Sequence, residues 1–118
     1  MPTDDTGTGS LLILWTSGDR ETALNMALMY GLNARLKDWW QEVTLLIWGA
    51  SQSLAVEDAE VREKVAEMTY AGVRVTACRK CAENLGLKDR LTEMGCEVFY
   101  AGEFLTDWLK SGRPILTV

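Results

Sequence analysis

"SLLILWTS", residues 10–17, decides the fold. It is a continuous apolar run that ends in small polar residues. A strand with one wet face alternates apolar and polar side chains. A strand buried on both faces does not, and such strands belong to parallel sheets covered by helices. "GDRETALNMALMYGLNARLKDWW" follows, and Asp19 or Ser17 can cap a helix from about Arg20 to Leu36. The same alternation then repeats. "EVTLLIWG" (42–49) reads as a second buried strand. "ASQSLAVEDAEVREKVAEMTYAG" reads as one helical stretch, with Val61, Val65 and Met68 as its apolar stripe and Gly72 as its C-cap. "VRVTAC" (73–78), "CEVFYAG" (96–102) and "RPILTV" (113–118) are the third, fourth and fifth strands. Two short helices, "RKCAENLG" and "LKDRLTEMG", and then "EFLTDWLKSG" connect them. The order implies a five-stranded parallel sheet with helices on both faces, a three-layer α/β/α domain spanning residues 10–118. Residues 1–9 are polar and acidic and read as a disordered tail.

Composition narrows the function. At 118 residues, 47% of them hydrophobic, the chain is expected to bury roughly two-thirds of its unfolded surface without a disulfide or a metal. No apolar run is long enough for a membrane span, and the start has no secretory leader pattern. Three cysteines, an odd number, point to a reducing compartment. The net charge is −5, and Lys and Arg are scattered apart from Arg79–Lys80, so nucleic acid is not an expected partner. Histidine is absent. That removes Ser-His and Cys-His catalysis and histidine metal ligands. Chemistry then falls to a perturbed thiol, a perturbed carboxylate or a bound group, and no cofactor is expected.

In open parallel sheets ligands bind beyond the carboxyl ends of the strands. Three loops belong there: "TSGDR", "WGASQS" and "ACRKC". The first offers Ser17, Gly18 and Asp19 to a substrate, and the second Trp48, Gly49 and Ser51. Helix capping competes for Ser17 and Asp19, and Ser51 reads as the cap of the second helix. Trp15 and Trp48 stand near strand ends, where each either walls a pocket or packs in the core.

The third loop opens on a C-x-x-C spacing, Cys78 and Cys81. Zinc needs four ligands, and one CxxC with a distant Cys96 and no histidine falls short. A dithiol redox centre fits a strand–helix junction, where Cys78 is the activated thiol and Cys81 resolves. A sulfur carrier needs one nucleophilic, exposed thiolate, and Cys78 beside Arg79 and Lys80 suits that as well. Cys81 complicates carriage, because a neighbouring thiol can attack a persulfide, release sulfide and leave a disulfide. Packing is the expected fate of Cys96.

The first helix carries a further signal. Apolar residues from Ala23 to Leu36 cover nearly its whole circumference. A helix lying on one sheet face keeps a polar side, so a second subunit is expected against it.

The stretches "WTSGDRETALNMALMYGLNA", "LLIWGASQSLAVED", "AGVRVTACRKCAENLGL" and "LTEMGCEVFYAGEFLTDWLKSGRPILTV" carry a family resemblance. The chain resembles the DsrE/DsrF-like sulfur-relay proteins over nearly its whole length. The best marker is Cys78 after the third strand with Gly86 eight residues on. The resemblance implies a flavodoxin-like architecture, a cytoplasmic location, and trimers or hexamers. It also implies that Cys78 accepts persulfide sulfur from a donor and passes it on, with a protein as donor or acceptor. Cys81 matches a second cysteine found in a subset of members. Two other functions stay open: thiol-disulfide exchange by Cys78 and Cys81, and non-catalytic binding of a small molecule or partner.

Overall fold

A computed structural model describes residues 9–118. The expected tail lies outside them, except for Gly9, whose carbonyl accepts the Glu42 N–H at 2.9 Å. The strands are β1 (Ser10–Trp15), β2 (Glu42–Ile47), β3 (Arg74–Cys78), β4 (Glu97–Phe99) and β5 (Ile115–Thr117). They form a five-stranded sheet in the order β4-β3-β2-β1-β5, and every pairing is parallel. Three layers result, as the alternation implies.

The helices are distributed unevenly. Steps from β1 to β2, β3 and β4 all move the same way across the sheet. Right-handed crossovers therefore put all their helices on one face. Only the return from β4 to β5 reverses direction, so α7 (Gly102–Ser111) lies alone on the other face. The core divides accordingly. Ile13, Trp15, Leu45, Ile47 and Val75 pack under the helix-rich face. Leu12, Leu46 and Cys78 pack with Trp108 of α7.

The first connection is a single helix of three segments: α1 (Arg20–Thr22), a π-helical turn (Ala23–Ala27) and α2 (Leu28–Leu36). Asp19 caps it, accepting the Thr22 N–H at 2.9 Å and the Thr22 hydroxyl at 2.7 Å. The Leu28 N–H reaches back to the Ala23 carbonyl, which marks the π turn. A π turn inserts one residue and slips the helical phase. Ala23 and Ala27 face the core within it, and Leu28, Gly31 and Ala34 after it. That slip explains why the apolar pattern runs around the helix. Met26, Met29 and Leu36 are left exposed.

The second connection departs from the sequence reading. It is two helices, α3 (Ala50–Glu57) and α4 (Ala59–Ala71). Asp58 breaks the stretch by adopting extended backbone and accepting the N–H groups of Glu60 and Val61, both at 3.0 Å. Arg20 binds Asp58 at 2.7 Å and also Glu60, which ties α1 to the start of α4. Val61, Val65 and Met68 are buried, as their spacing implies. The third connection holds α5 (Arg79–Leu85) and α6 (Lys88–Glu93).

Candidate functional site: a thiol pair at the carboxyl edge of the sheet

β3 ends on Cys78, which pairs with Phe99 of β4 and serves as the N-cap of α5. Its extended backbone (φ −70°, ψ 119°) turns the chain from strand into helix. Cys81 is then the third residue of α5. Side chains at these two positions meet at a helix start, the geometry that a capping box uses. Both cysteines belong to the cluster on the α7 face, with Trp48, Phe99 and Ala101.

The burial of the two thiols reverses the expectation. Cys78 is 4% exposed, whereas Cys81 is only half-buried. The strand end and α7 enclose Cys78, and Cys81 lies on the outer side. All three cysteines are free thiols. Burial first, and the hydrogen bond with Cys78 second, push the Cys81 thiol above its ordinary value. The peptide N–H of Gly49 opposes them by hydrogen bonding to the Cys81 sulfur. Cys81 therefore lies beside Cys78 and the loop after β2, in one cluster with Trp48 of that loop.

That loop is built for the contact. Gly49 has φ 76° and ψ −134°, a backbone that side-chain-bearing residues rarely adopt. Space is not the reason for glycine, since a Cβ there would meet nothing within 4 Å. Glycine turns β2 into α3 and brings its peptide beside Cys81.

Two residues after the turn join the strand ends. Ser51 is fully buried. It does not cap α3; Gly49 holds the N-cap position. The Ser51 hydroxyl instead donates to the Trp15 carbonyl at 2.6 Å and accepts the Trp48 N–H at 3.2 Å. Gln52, also fully buried, donates its amide to the Ile47 carbonyl at 3.0 Å and the Cys78 carbonyl at 2.9 Å. Gln52 thus fixes the peptide of Cys78 against the end of β2. Sequence reasoning passed over Gln52. A polar residue amid a helix's buried first turn is the signal that points to it.

The remaining candidates serve other purposes. The Ser17 hydroxyl accepts the Asp19 N–H at 3.1 Å and closes a local turn. The carboxylate of Asp19 caps the helix, and its hydrogen bonds to Thr22 hold it below the usual carboxylate range. Gly18 abuts α3: a Cβ on it would lie 3.2 Å from that of Ala50. The guanidinium of Arg79 pairs with Glu83 at 3.1 Å and lies over Tyr100, 5.0 Å from its ring centre, instead of serving a sulfur. Trp15 is fully buried in the core, while Trp48 is partly exposed beside the thiols. Cys96 packs under the helix-rich face, and burial pushes its thiol up to about 11. Cys78, Cys81, Trp48 and Gly49 therefore come together. Ser17, Asp19 and Arg79 have local partners. Among the described residues, no three or more His, Cys, Asp or Glu side chains cluster as a metal site would need. No described helix is long and apolar enough to cross a membrane.

BT1422 of Bacteroides thetaiotaomicron, a conserved protein of unknown function, has a solved structure that superposes with a TM-score of 0.91. The two sequences are 38% identical, over 93% of this chain and 95% of BT1422. The chain belongs to the BT1422 family. The YchN protein of E. coli superposes with a TM-score of 0.71 at 17% identity, over 94% of this chain and 99% of YchN. At that identity the likeness concerns the fold alone, and the fold is DsrE-like. No family model matches the chain, and no curated protein matches it either.

Proposed function

We propose that the chain is a sulfur-handling protein in which Cys78 accepts persulfide sulfur and transfers it. The observation that carries this reading is the thiol pair itself. Two free cysteines in one side-chain cluster stand at the carboxyl edge of a parallel sheet, where such folds place their chemistry. The DsrE-like fold is consistent with the sulfur-relay resemblance of the sequence. Enclosure of Cys78 favours a small donor, an inorganic polysulfide or a low-molecular-weight persulfide, over a protein surface. A thiol chemistry of this kind belongs in a reducing compartment such as the cytoplasm, where three free thiols persist. Intact mass after exposure to inorganic polysulfide tests the reading on Cys81→Ser beside the Cys78→Ser/Cys81→Ser double variant. The first is expected to gain one sulfur and the second none. Equal gain by both, or no gain by either, refutes Cys78 as acceptor.

A second reading, thiol-disulfide exchange, is favoured by the contact between Cys81 and Cys78. It requires a reversible intramolecular disulfide under mild oxidation. Failure of that bond to form rules it out.

We also propose that copies of the chain meet across α2 and α4, as trimers or hexamers. Leu32, Leu36, Ala66 and Tyr70 line an apolar groove of about 870 Å³ there, and Tyr70 is 96% exposed. Tyr70→Glu is expected to lower the sedimenting mass. Wild type sedimenting as a single chain overturns the proposal.

A further inference from the structure

We propose that Cys81 discharges a persulfide on Cys78 as hydrosulfide, so that the protein releases reduced sulfur instead of relaying it. This inference rests on Cys78 accepting sulfur, and it follows from which thiol can reach that sulfur next. A relay protein must present its loaded sulfur to an acceptor in another molecule. Cys78 is 4% exposed, and Cys81 lies outward of it in the same side-chain cluster. The thiol nearest to any sulfur on Cys78 therefore belongs to the chain itself. A group held in place competes with one in solution at a very high effective concentration.

The geometry fits the bond that must form. Cys78 at the N-cap and Cys81 at the third helical position take the places whose side chains approach each other in a capping box. A disulfide needs their Cβ atoms about 3.5–4.5 Å apart, and the two side chains already share one cluster. Gln52 and Gly49 limit how far the two cysteines can drift. Gln52 anchors the carbonyl of Cys78 at 2.9 Å, and Cys81 is held in the same cluster as Trp48, next to Gly49.

The step balances. The Cys81 sulfur attacks the inner sulfur of the persulfide, the one bonded to the Cys78 Cβ. The bond between inner and outer sulfur breaks, and its electron pair leaves with the outer atom. The proton of Cys81 goes to that atom, which departs as hydrosulfide. The Cys81 sulfur is oxidised from thiol to disulfide level and the outer sulfur is reduced from persulfide to hydrosulfide level, while the Cys78 sulfur exchanges one S–S bond for another and keeps its oxidation state. A dithiol reductant, small or protein-borne, then resets the pair by exchange. Burial and Cys78 both keep the Cys81 proton in place beforehand, where it is available to the leaving sulfur.

Wild type and Cys81→Ser, exposed briefly to inorganic polysulfide and desalted, separate the possibilities. Samples are then alkylated over time while free hydrosulfide is measured. Wild type is expected to lose its extra sulfur, release about one hydrosulfide per chain, and end two hydrogens lighter as the disulfide. Cys81→Ser is expected to keep its extra sulfur and release almost none. If both proteins keep their sulfur, the discharge step is wrong while sulfur acceptance stands. If both release it at one rate, Cys81 takes no part. If Cys81→Ser never gains sulfur, acceptance itself fails and the discharge step falls with it.

Discussion

The two faces of the sheet differ in what they hold. The helix-rich face covers Ile13, Trp15, Leu45, Ile47 and Val75 and buries one inert thiol, Cys96. The α7 face holds a smaller cluster that includes Cys78 and Cys81. Stability and chemistry are thereby separated. The thick face fixes the strands, and the thin face leaves the thiols under little more than one helix and a loop.

Core truncation on the thick face is the strongest way to break this contrast. Trp15→Ala removes a fully buried indole and is expected to cost about 3–5 kcal/mol in urea unfolding. Phe104→Ala on α7, a half-buried ring, is expected to cost well under half of that while quickening alkylation of Cys78. Equal losses, or unchanged alkylation, would erase the distinction.

Alkaline pH probes the thick face through Cys96. The Cys96 thiol ionises at 9.0 when unperturbed and at about 11 when folded. The folded state then holds the proton more tightly, so its stability is intact below pH 9 and declines as pH rises toward 11. The decline attributable to this group is about 2–3 kcal/mol. Urea midpoints of wild type and Cys96→Ala, compared at both ends of that range, isolate it. Parallel curves would show that Cys96 is not enclosed.

Gln52 spans the seam between the faces. Gln52→Leu removes the side-chain donor that bridges the carbonyls of Ile47 and Cys78, an expected cost of about 1–3 kcal/mol. Alkylation of Cys78 should also accelerate as its peptide loosens. A variant as stable and as slowly alkylated as wild type would remove Gln52 from the site.

The smallest effect is expected at Gly31. A Cβ there meets the Met68 Cε at 2.6 Å and the Ile13 Cδ1 at 2.9 Å. Both are ends of flexible side chains, and alanine improves helix propensity, so the net loss is about 1 kcal/mol or less. A larger loss would mean that the thick face is packed more rigidly than its methyl ends suggest.

The sheet was legible in the sequence because buried parallel strands are unbroken apolar runs, and "SLLILWTS" and "EVTLLIWG" are such runs. Cys78 was placed correctly at the third strand's end by the same reading. The break at Asp58 was not legible, because charged residues on both sides of it fit a continuous amphipathic helix. The enclosure of Cys78 was hidden for another reason. It depends on α7 and on a loop from β2, both distant in the chain. Arg79 looked like a partner for the thiol, but Glu83 four residues on claims it. Spacing along one helix showed that option, and the sequence gives no measure of which partner wins.

Trypsin separates the three cysteines, which permits a direct test of the acceptor. Cys78 falls in "VTACR" (75–79), Cys81 in "CAENLGLK" (81–88), and Cys96 in "LTEMGCEVFYAGEFLTDWLK" (91–110). Wild type exposed for seconds to inorganic polysulfide, then alkylated under conditions that preserve persulfides, is digested and weighed peptide by peptide. The expected result is the extra sulfur on residues 75–79 at the earliest times. Extra sulfur first on residues 81–88 or 91–110, or on no peptide at all, would contradict Cys78 as the sulfur-accepting thiol.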